Sequence, residues 1–365
     1  MKRFCAMAGL TALLFLVTFW PGLDHAQAKS HELRRLYRGA RAQAMGGAFV
    51  GLADDEQALF YNPAGMAGNP RTSFKFLNLD LHTSTDILSI YQEGTEAFQN
   101  FSADSLQILM GKNIYAQAQT TSIFLAPGFG LGLLVDGQTA FFSQNTVFPQ
   151  FEIGYQTTNG IQAAFGTSVG KRRKKSGELR VGIGGKMLYR RGGYHDLQIS
   201  QLVSANTQLL KQMTGAFKVG YGLDLGAQYI KKLKNGLKLS AGTSFTDVGD
   251  TTFRGAGPDP IRGNWTLGVA AQMDLIVMNI IAAYDFSHIL EDTDWRRKNH
   301  LGFEFKLPMI ALYAGLHETY FTYGTSFSFW FFKITALTYA EELGVAANQE
   351  DNRRYLLKLA LKFDI

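Results

Sequence analysis

Few residues in this chain are of types and spacings that could do chemistry. Gly166-Thr-Ser168-Val-Gly170 fits the G-x-S-x-G pattern around a hydrolase nucleophile. That chemistry needs a strand, a sharp turn and a helix to present the serine hydroxyl. Here the pattern lies in a Gly-rich strand candidate that runs into the basic stretch Lys171 to Lys175, so it reads as a chance match. A phospholipase would further need a histidine and an acid beside Ser168. Six histidines follow residue 28 (His31, His82, His195, His288, His300 and His317), none in an H-E-x-x-H or similar ligand spacing. Neither a metal nor a cofactor is expected, and the chain reads as non-catalytic. Three further cations, Arg180, Lys186 and Arg190, share one face of an alternating segment.

The N-terminus decides where these residues work. Lys2 and Arg3 precede an apolar stretch from Phe4 to Trp20, and Ala26-Gln27-Ala28 supplies small residues for cleavage, so residues 1–28 read as a secretion signal. The single cysteine, Cys5, lies inside it. The exported chain is then expected to have no disulfide, no thiol and no lipid-bearing cysteine. The formal charge is +6 and the isoelectric point about 9.2. In the cytosol such a balance would suggest nucleic acid, but an exported chain meets anionic lipid and lipopolysaccharide instead. Lys171 to Lys175 accordingly reads as a solvated turn, with lipopolysaccharide phosphate as its partner if it faces outward.

The elements that must carry these residues are strands. The chain has 365 residues, 46% hydrophobic and 13% aromatic, with 39 Gly, and its mean hydropathy is -0.05. This profile excludes a disordered chain and a polytopic helical membrane protein. After the signal, no stretch reaches the roughly 20 apolar residues of a spanning helix. Alternation recurs instead: Tyr355, Leu357, Leu359, Leu361, Phe363 and Ile365 fall at every second position, and Val181, Ile183, Met187 and Tyr189 oppose Arg180, Gly182, Gly184, Lys186 and Arg190. Segments of about ten residues with aromatics near their ends match strands that cross a bilayer at a tilt. Fifteen candidates can be drawn, and because bacterial single-chain barrels use even numbers, fourteen is the expected count. Two insertions with helical spacing, Ser84 to Gly111 and His195 to Met213, read as extracellular. Five candidates separate them where an even number is required, which puts the miscount within 116–170.

Residues 39–66 carry a more specific pattern. Met45-Gly46-Gly47-Ala48, Ala53-Asp54-Asp55 and Asn62-Pro63-Ala64-Gly65 follow one another in an order and spacing that resemble the N-terminal signature of the FadL-type outer-membrane transport barrels and their PorV-like and TraF-like relatives. The resemblance implies an all-β transmembrane antiparallel barrel of about 14 strands. Its N-terminal segment would fold back into the lumen as a hatch, with Asn62, Pro63 and Ala64 as the turn against the inner wall. The residue types suit that role. Gly46 and Gly47 allow close backbone approach, Asp54, Asp55 and Asn62 can cap turns, and Pro63 fixes φ.

The chain thus divides into a signal (1–28), a hatch (29–70) and a barrel in the bacterial outer membrane (71–365). The resemblance implies a channel for hydrophobic compounds such as long-chain fatty acids, with a hydrophobic small molecule as ligand. As an alternative it implies a PorV-like scaffold that binds a secreted or membrane partner protein. Outer-membrane lipid and lipopolysaccharide are the expected surroundings. Arg180, Lys186 and Arg190 are expected to face the lumen and to pair with hatch acids such as Asp54 and Asp55, or to attract an anionic headgroup.

Overall fold

The computed structural model describes residues 32–93, 109–144, 150–169, 177–198, 213–233, 236–255 and 258–364. The signal stretch, the Lys171 to Lys175 run and the middles of both insertions lie outside the described residues. Fourteen antiparallel strands form one closed sheet. They are β1 (Ser73–Ser84), β2 (Asn113–Ala126), β3 (Phe129–Gln144), β4 (Gln150–Val169), β5 (Glu178–Gln198), β6 (Lys218–Lys232), β7 (Leu237–Thr246), β8 (Asn264–Asp274), β9 (Asn279–Phe286), β10 (Asn299–Lys306), β11 (Ile310–His317), β12 (Tyr320–Phe329), β13 (Phe332–Glu342) and β14 (Asp351–Asp364). Each pairs with its sequence neighbours, and β1 pairs with β14, so the sheet has no edge. No helix among the described residues is long and apolar enough to cross a membrane.

The candidates 146–157 and 160–170 are one strand, β4. Gly160, which suggested a break, pairs with Leu188 in mid-strand, and a Cβ there would lie 2.3 Å from the Leu188 side chain. The glycine answers a crowded neighbour and makes no turn. Four strands, β2 to β5, therefore separate the insertions, and both leave the same end of the barrel. The first insertion opens with a helix, α3 (Thr85–Glu93). The second begins later than expected, because β5 continues through His195 to Gln198.

Alternation sorts the two faces. Leu131, Leu133 and Val135 of β3, Tyr221, Leu223 and Leu225 of β6, and Leu267 and Val269 of β8 are exposed on the outside. Asp136, Asp224, Gln228 and Asp285 are buried on the inside. An outward apolar band around a closed sheet is the surface that lipid covers. The wall is not of even height. β4 and β5 have 20 and 21 residues, whereas β9, β10 and β11 have 8 each. The N-terminal segment enters β1 at the end that carries the short turns 127–128, 233–236, 275–278, 307–309 and 330–331. By the usual rule that end faces the periplasm, and the opposite end, where β1, β5 and β7 finish, faces outward.

The core lies inside this cylinder. Residues 32–72 run through the lumen, with two short helices, α1 (Ala40–Ala44) and α2 (Ala58–Tyr61), and a 3-10 turn over Pro63–Gly68. Tyr37 stacks on Phe60 with ring centroids 4.1 Å apart, and Phe49 meets Tyr61 edge-on at 5.4 Å. Met45, Phe49, Leu59 and Met66 are fully buried between this segment and the wall.

Candidate functional site

The hatch is seated on bare backbone along one half of the wall. A Cβ at Gly182 of β5 would lie 2.3 Å from the Pro63 carbonyl carbon, at Gly226 of β6 2.1 Å from Asn62 Oδ1, and at Gly166 of β4 2.7 Å from Ala67 N. These glycines are register partners, Gly166 with Gly182 and Gly182 with Gly226, so they form a flat track across three strands. Gly242 and Gly268 pair across β7 and β8 and leave room for Val50 and Gly51 in the same way. Only a hydrogen fits at such positions.

Asn62 fixes the hatch turn on this track. Its Nδ2 donates to Val50 O at 3.0 Å and to Ala227 O at 3.3 Å, while its Oδ1 accepts from Ala64 N at 3.1 Å. Pro63 follows at the first position of the 3-10 turn, where its missing donor costs nothing. Gln228 of β6 donates to Gly51 O and Leu52 O at 3.0 and 2.8 Å, and Gln162 of β4 donates to Leu59 O at 2.7 Å. Buried hatch carbonyls thus find partners on the wall. Gly65 is buried against the Ala53 carbonyl.

The other half of the wall adds charge to a second pair of bare positions, Gly302 and Gly315 of β10 and β11, which lie against Met45 and Gly46. Asp285 of β9 accepts from Phe49 N and Val50 N at 2.7 Å each. Arg41 bridges Asp54 at 2.6 Å, Asp55 at 2.8 Å and Glu304 of β10 at 2.6 Å. Burial alone would lower the Arg41 pKa, but Asp54, Glu304 and Asp55 together hold it well above the ordinary value. Burial and the neighbouring Glu56 push the Asp55 carboxyl up. Glu56, ion-paired to Lys75, stands well below the usual carboxylate range: burial opposes this, and the Lys75 charge overcomes it. Nearer the outer end, Glu32 pairs with Arg38 at 2.6 Å and Arg354 at 2.9 Å, and Arg38 pairs with Glu341 of β13 at 3.0 Å. His300 and His317, partners across β10 and β11, both direct Nδ1 at Gly46 O, at 2.9 and 3.2 Å. Gly46 and Gly47 have φ of 65° and 87°, and a Cβ on Gly46 would fall 2.4 Å from Leu316 O.

The expected pairing of the lumen cations with Asp54 and Asp55 does not occur. Lys186 bridges Asp224 and Asp247, both at 2.9 Å. Arg190 donates to Thr158 Oγ1 and to Asp259 O. Arg180 pairs with Glu178 at 3.0 Å beside Gly68 of the hatch. The wall supplies its own counter-ions within two strands, and Arg41, a hatch residue inside the N-terminal signature, takes the hatch acids. Ser168 lies within β4, not on an elbow, and donates to Glu178 Oε1 at 2.6 Å. His317, Glu318 and Glu341 lie close enough together to hold a cation. Arg297 already pairs with Glu318, and Arg38 with Glu341.

No family model matches the sequence, and no curated protein is significantly similar to it. Among solved structures, the toluene transporter TodX of P. putida covers 90% of this chain with 98% of its own, at 13% identity and a TM-score of 0.50. The TodX deltaS2S3 mutant, a monoaromatic hydrocarbon channel, gives the same coverage at 14% identity and a TM-score of 0.52. The fold is that of the FadL-type transport barrels. With its outward apolar belt, this closed barrel has the surface of a bacterial outer-membrane protein. The wall residues that seat its hatch, the glycine track with Gln162, Gln228, Asp285, Glu304, His300 and His317, lie outside the N-terminal signature. The signal available for them was the inward parity of glycines and polar residues in otherwise apolar strands.

Proposed function

We propose that this chain is a channel for small hydrophobic molecules, closed by a hatch that shifts within a rigid barrel. One observation carries the reading: the hatch fills the lumen, and most of its ion pairs to the wall, through Arg41, Arg38 and Glu32, lie on the β10 to β14 side, with Arg34 to Glu152 of β4 the pair on the other. Such a plug has a side from which it can release while the cylinder stays closed. No bond is made or broken; the work is binding and displacement. Long-chain fatty acids are the finer choice of ligand, and uncharged aromatic hydrocarbons the simpler one.

The test is uptake of labelled toluene and of a labelled long-chain fatty acid by a deletion strain with and without the restored gene. Loss of either uptake, restored by the chain, is the expected result. A second measurement locks the hatch. Thr322 of β12 donates to Ala44 O at 3.1 Å, and Cys5 is the single cysteine of the sequence, so A44C/T322C in a C5A background tests one crosslink between hatch and wall. Uptake that stops on oxidation and returns on reduction is expected. Unaltered uptake in the deletion strain, with a protein that co-purifies stoichiometrically, would overturn the reading in favour of a scaffold.

A further inference from the structure

The lipid-facing belt does not stop at the same level all round the barrel. On β6 the outward residues Tyr221, Leu223, Leu225 and Tyr229 end in Lys231, and Lys232 beside it is exposed as well. On the far side the belt runs on past the strand ends. Ile310 and Leu312 of β11 lead into Met309, Met273 of β8 into Leu275, and Phe327 and Phe329 of β12 into Trp330 and Phe331, all of them exposed. The three turns reached in this way, Leu275-Ile276-Val277-Met278, Leu307-Pro308-Met309 and Trp330-Phe331, contain no charged residue. Ile276 is fully exposed and Trp330 91% exposed. The short-turn end therefore carries an apolar lip under β8 to β13 and a basic rim under β6.

Strand length matches this division. The 15 residues of β6, at about 3.3 Å each and a tilt of about 40°, rise about 38 Å, well past the roughly 25 Å apolar band of an outer-membrane barrel. β9, β10 and β11 have 8 residues each and rise only about 20 Å, so about 5 Å of band must be completed beyond their ends. The outer connection between β9 and β10 is unsuited to that, since it carries Glu291, Asp292, Asp294, Arg296, Arg297 and Lys298. The lip is suited. Irregular backbone cannot lie bare in hydrocarbon, which limits the lip to the depth of the lipid ester groups. There Leu275 N donates to Met278 O and Leu307 N to Ile310 O, both at 2.8 Å, and Ser328 N donates to Met309 O at 2.7 Å. An indole at the position of Trp330 suits the same level.

We propose that this lip is embedded in the periplasmic leaflet of the outer membrane, with Leu275 to Met278, Leu307 to Met309 and Trp330 to Phe331 set among the ester and upper acyl groups of the lipid. The occupant is lipid because the lip continues, without a polar break, the belt that lipid covers. Under β6, where the strands cross with residues to spare, Lys231 and Lys232 stay in water beside the headgroups. The barrel is thus anchored on one side only. Such an anchor serves a channel and a scaffold alike, and it is independent of what passes through the lumen.

The test uses the mature protein in nanodiscs with W265F/W295F, which leaves Trp330 as the only tryptophan after the signal. Bromine carried high on the lipid acyl chains is expected to quench the Trp330 emission, whose maximum shifts to the blue, and iodide in the water to leave it largely unquenched. W295F/W330F keeps Trp265, on the belt at β8, and checks that the barrel is inserted. A polarity-sensitive dye on C5A/I276C should report an apolar environment and the same dye on C5A/K232C an aqueous one. Trp330 open to iodide and untouched by bromine, while Trp265 is quenched by bromine, would overturn the lip. Equal polarity at residues 276 and 232 would overturn the one-sided anchor. Shielding of Trp330 found only in nanodiscs that hold two copies would make the lip a contact between barrels instead, and shielding found only in native membranes would make it the seat of a partner protein.

Discussion

The hatch meets two halves of the wall that hold it with different emphasis. Toward β3 to β7 it is fitted by shape, with Pro63, Ala64 and Met66 on glycines that leave no room for a methyl group. Toward β9 to β14, where Gly302 and Gly315 also lie against Met45 and Gly46, it is tied in addition by charge, through Arg41 to Glu304, Arg38 to Glu341 and Glu32 to Arg354. The glycine track fails when an atom is added and is indifferent to salt and pH. The charged side fails when a partner is removed or titrated, and it can be undone and remade. A hatch that moves would therefore leave the charged wall first and pivot about the Asn62 to Ala64 turn.

The largest expected effect is on the charged side. Arg41→Ala leaves Glu304 buried without its cation, a loss of about 3–5 kcal/mol for a broken buried pair. Faster amide exchange at residues 40–57 and a raised bilayer conductance would record it. Replacing Arg41 and Glu304 together by methionine and leucine should recover most of the loss, since no buried charge is then left alone. If the double variant is as open as the single one, the pair holds the hatch by more than charge balance.

On the shaped side, Gly182→Val forces a side chain into the Pro63 carbonyl, and overpacking of this kind costs about 1–3 kcal/mol. Asn62→Ala strands the Val50 carbonyl and the Ala64 amide at about 1–3 kcal/mol for each unpaired group. Both losses should be the same at low and high salt, whereas that of Arg41→Ala should vary with salt, which screens the half-exposed Asp54 and Asp55. Arg41 and Gly182 share no partner. If the two halves act independently, R41A/G182V should equal the sum of its parts within about 0.5 kcal/mol. A larger coupling would show that the hatch moves as one body and would break the distinction drawn here.

The barrel was legible because its physics is local. Period-two alternation at Val181 to Tyr189 or Tyr355 to Leu361 needs no knowledge of the partner strand, and the parity of strands between the insertions even located the miscount inside 116–170. Asn62 was visible as a turn-former because it bonds to Val50 O and Ala64 N within its own segment, while its bond to Ala227 O of β6 was not. The seat was not, because it is made of pairs more than 100 residues apart, from Leu59 with Gln162 to Arg41 with Glu304. Nothing in Lys186 or Asp54 as residue types says which partner across a lumen each will reach. The pairing that charge alone suggested lost to nearer partners, Asp224 and Asp247 for the one, Arg41 for the other. The glycines were visible but read as blurred boundaries, whereas their inward parity marked a second backbone pressed against the sheet.

The smallest expected effect is that of acid, and its sign separates two kinds of hatch carboxylate. Glu32 and Glu56 both lie below their ordinary pKa, since their cations outweigh the burial that would raise them. A depressed carboxylate contributes stability that is present above its unfolded pKa of about 4.3 and is lost as pH falls through the lower folded value. Asp55, raised by burial and by Glu56, works in the opposite sense and favours the closed hatch slightly as it takes up a proton. Conductance should therefore stay flat or dip slightly as pH falls toward 5. It should then climb below about pH 4 as Glu32 and Glu56 are neutralised. Glu56→Gln should remove part of the climb and leave the shaped side untouched. A climb that G182V abolished while E56Q left it intact would assign the acid response to the wrong half of the wall, and the two-sided hatch would have to be given up.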